Sequence, residues 1–456
     1  MRSTIFAGLA ALAASVTAIP TISAKGSKLF TSDGRQFFIK GTCPCFTVPH
    51  LSRQRSSPRL TGIAYQLSPD DPLIDSTQCK LDASLMSSIG ANAIRVYHVD
   101  PTGDHRGCMS TFADAGIHLF VDLDTVGTYI LSDTPEWTRN QYSAYTKVVD
   151  EFQQYNNTAG FFVGNEILTD ANSSIAAPYV KAAARDVKAY RDSKGYRKIP
   201  VGYSAADIPS LRPNLQNYLA CGTNASEALD FFSLNAYEWC GGSSYDLSGY
   251  SELNRNASNY NIPIFFSETG CNTPEPRTFA DQAAILGDQM NPYWSGAIIY
   301  EWIAEANNYG LVSYGTPISA TVSGQEASYI RSGTPTPISP DFSNLSKQWK
   351  TLTPAGVSES AYSPSLTPPP CPAYTSGVWE VNGAVALPTL GQTYDAGVRS
   401  SITAGTAAAS ASGKASGTAA SASPSASHTG SASGGNEIAA MSAGLVVVML
   451  GFVWWL

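Results

Sequence analysis

Phe161-Phe162-Val163-Gly164-Asn165-Glu166 and Ile262-Pro263-Ile264-Phe265-Phe266-Ser267-Glu268 are two apolar runs that each end in a glutamate. A short, continuous apolar run of this kind reads as a strand buried on both faces, as in a parallel sheet. Six further runs share the pattern, over 37–41, 93–99, 118–124, 200–204, 230–238 and 296–302. Between them, helical spacing covers 81–89, 142–155, 177–191 and 280–290. Eight strand-then-helix units within about 300 residues predict a (β/α)8 TIM barrel. On this count Glu166 closes strand four and Glu268 closes strand seven. Both carboxylates are then expected at the barrel mouth, the end where such folds carry out chemistry.

A pair of carboxylates at one barrel mouth is the equipment for breaking a glycosidic bond. One carboxyl protonates the leaving oxygen and the other meets the anomeric carbon; in the retaining geometry they stand about 5–5.5 Å apart. Asn165 is placed to bond the sugar 2-hydroxyl, and Tyr237 to hold Glu268 in its ionised, attacking form. A lone glutamate at a strand end is as often a polar cap as a catalyst. Two of them, at strands four and seven, favour catalysis. Sugar rings also need aromatic faces. Tyr97, Tyr129, Tyr237, Trp239, Tyr300, Trp302, Tyr309 and Tyr314 all fall at or just beyond expected strand ends, some of them as ordinary core.

The 456 residues carry a net charge of −8 with 14% charged side chains, which argues against a nucleic-acid surface. Residues 1–18, with Arg2 followed by an apolar run and small residues, read as a secretory signal peptide. Residues 19–398 are assigned to the barrel and its closing segment. Residues 399–433, nearly all Ser, Ala, Gly and Thr, read as a disordered, O-glycosylated stalk. Residues 434–456 read as a GPI-attachment signal that is removed. A terminal transmembrane helix is the competing reading of that tail, and the lack of Lys or Arg after it favours the anchor. The expected location is the outer face of the plasma membrane and the cell wall. Asn-X-Ser/Thr sequons at Asn156, Asn172, Asn224, Asn256 and Asn344 suit an exported glycoprotein.

Residues 42–62 form an anomalous insert, basic and without pattern, between a strand and its natural continuation, 63–66. It is either a surface loop, closed by Cys43 and Cys45, or translated intron sequence. The interruption of a strand favours the second. The other six cysteines, Cys79, Cys108, Cys221, Cys240, Cys271 and Cys371, are expected in disulfides. The five histidines are scattered, with His98 and His118 expected as hydrogen-bonded core residues, so no metal and no cofactor are expected.

The strings FFVGNE, FFSETGCN and EANNYGLV, with IRVYHVDP, DLDTVGTYI and YSAADIPSLRPNLQNYLACG, resemble the fungal β-1,3-glucanosyltransferases of glycoside hydrolase family 72, the Gas, Gel, Phr and Epd proteins. The likeness runs from about Lys28 to Pro372. It implies Glu166 as acid/base, Glu268 as nucleophile, and β-1,3-glucan as both donor and acceptor. Implied contacts are Gln66, Tyr97, Asp122, Asp124 with its loop to Ser132, Asn165, Asp207, Arg212, Tyr237, Tyr300 and Tyr309. Implied disulfides are Cys79–Cys108, Cys221–Cys371 and Cys240–Cys271. Some members carry a cysteine-rich carbohydrate-binding module, which the few cysteines beyond residue 271 lead us not to expect here. The rival expectations are a purely hydrolytic endo-β-1,3-glucanase and an inactive wall-binding protein.

Overall fold

The structure is a computed structural model that describes residues 18–39, 62–66, 71–125, 127–317 and 329–395. The signal, stalk and anchor readings, and most of the insert with Cys43 and Cys45, lie outside these residues.

Eight parallel strands close into a barrel. In chain order they are Gly62–Ala64, Ala93–Val96, His118–Asp122, Thr158–Asn165, Val201–Ala206, Phe231–Asn235, Ile264–Thr269 and Trp294–Ile299. Strand eight pairs with strand one, through Ile298 with Gly62 and Ile299 with Ile63, which completes the ring. The expected strands over 93–99, 230–238 and 296–302 overran. Each ladder stops where the chain turns outward at the mouth, so Tyr97, Tyr237 and Tyr300 belong to loops. Their apolar bulk made these loops look like more strand.

Strand one departs most from expectation. Gln36–Phe37 belongs to a separate antiparallel sheet with Ile22–Lys25 and Lys28–Thr31. The chain then reaches strand eight at Ile39, which bridges in parallel to Gly296. Gly62, counted above with the insert, is the first residue of barrel strand one. Ile39 faces residue 296 and Gly62 faces residue 298, so one residue fills the register between them.

The three-stranded sheet closes the barrel end opposite the two glutamates. Ile22, Leu29 and Phe37 join one buried cluster with Phe120, Phe162, Phe231 and Phe265 from inside the barrel. At the strand-three entrance, His118 is bonded through Nε2 to the Pro20 carbonyl, as a core histidine. The phenylalanine layer needs space that glycine supplies: a Cβ on Gly202 would stand 2.4 Å from the Phe231 ring. A second, larger cluster seals the barrel against its helices.

Three of the expected helices form as Ser76–Ile89, Arg139–Phe152 and Ala177–Ser193. Asp75 caps the first at its N-terminus and Gly90 ends it in a left-handed conformation, and a Thr138/Gln141 capping box starts the second. The helix expected over 280–290 shortens to Asp281–Ile285, with Gly287 just past its end. All three implied disulfides form, Cys79–Cys108, Cys221–Cys371 and Cys240–Cys271. The second ties the closing segment back to the barrel across 150 residues.

Candidate active site

Both glutamates follow an irregularity in their strand. The register between strands four and five shifts between Phe162 and Asn165, and that between strands six and seven shifts at Asn235, which faces Glu268. Bulges re-aim the side chains that follow them and are frequent beside active sites. Glu166 adds a backbone φ of 49°, a left-handed conformation unusual outside glycine. Its N–H donates to the Ser204 carbonyl at 2.9 Å, which locks the turn. The exposed carboxyl accepts from Asn235 Nδ2 at 2.7 Å.

Glu268 is buried, with 8% of its surface exposed. Tyr97 donates to Oε1 at 2.9 Å and Tyr237 to Oε2 at 2.8 Å. The Arg95 guanidinium lies 3.4 Å from Oε1. Burial pushes the Glu268 carboxyl up to about 7, and the Glu166 charge adds to this; Arg95, Tyr237 and Tyr97 pull against it. Tyr237 therefore does hold and favour the ionised form, as its position suggested, while the enclosed site outweighs it.

Arg95 organises the floor of the site. It is fully buried and forks onto Asp122 at 3.1 and 2.8 Å. It also donates to Ser204 Oγ and Asn165 Oδ1, each at 3.0 Å, beneath the rings of Tyr97 and Phe162. Asn235 donates to Asn165 Oδ1 at 3.0 Å, while its own oxygen accepts from Ser204 and Ser267. A continuous chain of hydrogen bonds thus runs Glu166–Asn235–Asn165–Arg95–Glu268. Asp122 and Asn165 are anchored by this chain. Arg95 and Asn235 were not singled out from the sequence. The signal for Arg95 was there, since a charge inside the apolar run Ala93-Ile94-Arg95-Val96 must face a buried counter-ion.

Three tyrosines form a wall beside Glu268. The Tyr237–Tyr309, Tyr300–Tyr309 and Tyr237–Tyr300 ring centroids lie 5.5, 5.4 and 6.4 Å apart. Gln66 donates to the Tyr300 hydroxyl at 2.9 Å. Arg277 braces the wall from behind, donating to the carbonyls of Tyr300 and Tyr309. Across the mouth, Arg212 pairs with Asp207 and with Glu238. Asp124 follows strand three beside Asp122; burial and that neighbour push its carboxyl up to about 7. The Cys240–Cys271 bridge joins the loops after strands six and seven.

Not every candidate aromatic lines the cleft. Trp302 and Tyr314 turn into the core and both donate to Asp82 Oδ1, and Trp239 packs on Tyr250. Tyr129 is exposed on its loop. Of the sequon asparagines, Asn156, Asn172 and Asn224 are exposed, Asn256 is half-buried in a helix, and the Asn344 amide donates to the Arg277 carbonyl.

The glycoside hydrolase family 72 model, described as Glucanosyltransferase, matches residues 11–327. The chain belongs to this family. Among glucanosyltransferase relatives, the 1,3-beta-glucanosyltransferase gas2 of Schizosaccharomyces pombe is 39% identical over 377 residues, covering 82% of this chain and 76% of that one. Protein EPD1 of Candida maltosa is 38% identical, covering 84% of this chain and 65% of that one. This family member also superposes on a mutant of Saccharomyces cerevisiae Gas2p in complex with laminaritetraose and laminaripentaose. The TM-score is 0.67 at 35% identity, covering 80% of this chain and 74% of that one.

Proposed function

We propose that this chain is a retaining β-1,3-glucanosyltransferase that cuts β-1,3-glucan internally and joins the freed end to another β-1,3-glucan. The observation that carries this reading is the single hydrogen-bonded network linking Glu166 to Glu268, in a member of the glucanosyltransferase family.

In the first half-reaction a Glu268 oxygen attacks the anomeric carbon as the bond to the leaving oxygen breaks, and Glu166 gives that oxygen its proton. The leaving portion departs with a free hydroxyl, and the donor remains as an ester on Glu268. In the second half, Glu166 takes the proton from an acceptor hydroxyl. That oxygen attacks the anomeric carbon and expels Glu268. Two inversions restore the original configuration. The charge returning to Glu268 meets donors already in place, Tyr97, Tyr237 and Arg95, so no reorganisation is needed. Hydrolysis differs only in the second step, where water replaces the sugar hydroxyl. The tyrosine wall, which offers ring faces to sugar bound beside Glu268 and helps exclude water, favours transfer.

Incubating the protein with a reduced laminari-oligosaccharide tests this. Products longer than the substrate support transfer, and shorter products alone would establish a hydrolase. Glu268→Gln should abolish both while leaving the fold intact. The relatives' glucan chemistry also fits a location at the cell surface. Attachment there through a GPI anchor rests on the sequence of the tail, and release of the protein from membranes by a phosphatidylinositol-specific phospholipase tests it; retention after treatment would favour a spanning tail.

A further inference from the structure

Strand eight is followed by Tyr300 and then Glu301, a residue with no exposed surface and no part in the two half-reactions. Its carboxyl is held by amides alone. Oε2 accepts from Gln66 Nε2 at 2.7 Å and Oε1 accepts from Asn307 Nδ2 at 2.7 Å. Among the described residues no lysine or arginine pairs with it. Burial pushes this carboxyl up to about 7, and the charges of Glu305 and Glu268 add to the effect. Glu305 is itself paired to Arg331. Arg277 spends its outer nitrogens on the Tyr300 and Tyr309 carbonyls. A buried carboxyl without a counter-ion costs stability. A neutral residue of the same shape would serve the core better, so the reason for an acid here lies in what it faces.

We propose that Glu301 is a positioning residue that fixes the amide of Gln66, and through it the hydroxyl of Tyr300, for contact with the donor sugar. This rests on the proposed function and places on the donor side two of the glucan contacts that the family resemblance implies, Gln66 and Tyr300. With both oxygens accepting from NH2 groups, Glu301 is arranged as a carboxylate, and in that ionised form, dominant above about pH 7, it only accepts, so it takes the NH2 end of Gln66 and refuses the carbonyl end. That same NH2 group donates its second hydrogen to Tyr300 Oη. The carbonyl oxygen of Gln66 is left as the acceptor for a sugar hydroxyl. The Tyr300 hydroxyl, having accepted, keeps its own proton to donate. One buried charge therefore sets the polarity of two side chains at the cleft.

Glu301→Gln keeps the shape and removes this rule, because a glutamine offers Gln66 either an acceptor or a donor. The test is a double-mutant cycle on donor cleavage, with wild type, Glu301→Gln, Gln66→Ala and the double variant, each checked by thermal melting. The expected result is a loss of about tenfold in kcat/KM for Glu301→Gln alone and little further loss in the Gln66→Ala background. Additive losses would overturn the proposal, since a residue that merely supports the fold acts whether or not Gln66 is present. A Glu301→Gln protein that fails to fold would also overturn it. If wild type cleaves no glucan, the parent reading fails; if wild type cleaves and the losses add, only the role of Glu301 fails.

Discussion

Glu268 is pulled in opposite directions by its surroundings, and the balance sets the pH at which it can attack. Burial and Glu166 favour the protonated form, while Arg95, Tyr237 and Tyr97 favour the carboxylate. Removing one hydroxyl should tip this balance. Tyr237→Phe is expected to move the acid limb of the kcat/KM profile to higher pH and to lower its plateau by about 10- to 100-fold, because one oxyanion donor is lost. An unshifted limb would mean that Tyr237 serves only as a ring face. The two glutamates, Asn165 and Tyr237 were legible from the sequence because each ends or follows an apolar run. Asn235 was not, since an asparagine at a strand end looks like any turn residue until the fold brings it within 2.7 Å of Glu166.

At the scale of elements, strands four to seven were legible because their neighbours on both faces are apolar, which leaves continuous runs. Strand one was legible only as two pieces, 37–41 and its continuation 63–66, for a reason visible in its register. Ile39 and Gly62 stand two ladder positions apart on strand eight, although 22 residues separate them in the numbering. A chain in which Lys40 joins Gly62 directly supplies the single residue that register requires. Deleting residues 41–61 is therefore expected to give a folded enzyme with activity and melting temperature no lower than those of the full chain. An unfolded or inactive deletion would mean that the segment belongs to the working fold. Shorter helices, Arg212–Ala220 and Tyr250–Ala257, follow strands five and six, as the strand-then-helix count expects.

Across the whole molecule the buried acids act together on stability. Burial raises Glu268, Glu301 and Asp124 to about 7 and Asp281 to about 6. Between their unfolded values and these, the native state holds protons that the unfolded chain has released, so stability falls as pH rises. Burial opposes a charge on His105, but Asp71 and Glu151 flank it and hold its proton, so it too loses stability as pH rises through its raised value. His118 works the other way. Burial lowers it to about 4, so the unfolded chain binds a proton that the native state refuses, and stability is lost as pH falls below the ordinary histidine value of about 6.5. The raised acids and His105 outweigh His118 and predict a higher melting temperature at pH 5.5 than at pH 8, read by calorimetry. A curve that is flat or rises towards pH 8 would show that these acids are ionised at little cost. The expectation could not be drawn from composition, because a count of acids does not say which of them the fold encloses.

The central claim is that Glu268 carries the sugar between the two half-reactions. A 2-deoxy-2-fluoro laminaribiosyl fluoride, whose electron-poor ring slows the breakdown of a glycosyl ester, tests it by peptide mass spectrometry. The account predicts that fluoride leaves and one 2-deoxy-2-fluoro laminaribiosyl unit is added on the peptide containing Glu268, absent from Glu268→Gln. An adduct on another residue, or steady turnover of glucan with no adduct at Glu268, would contradict it.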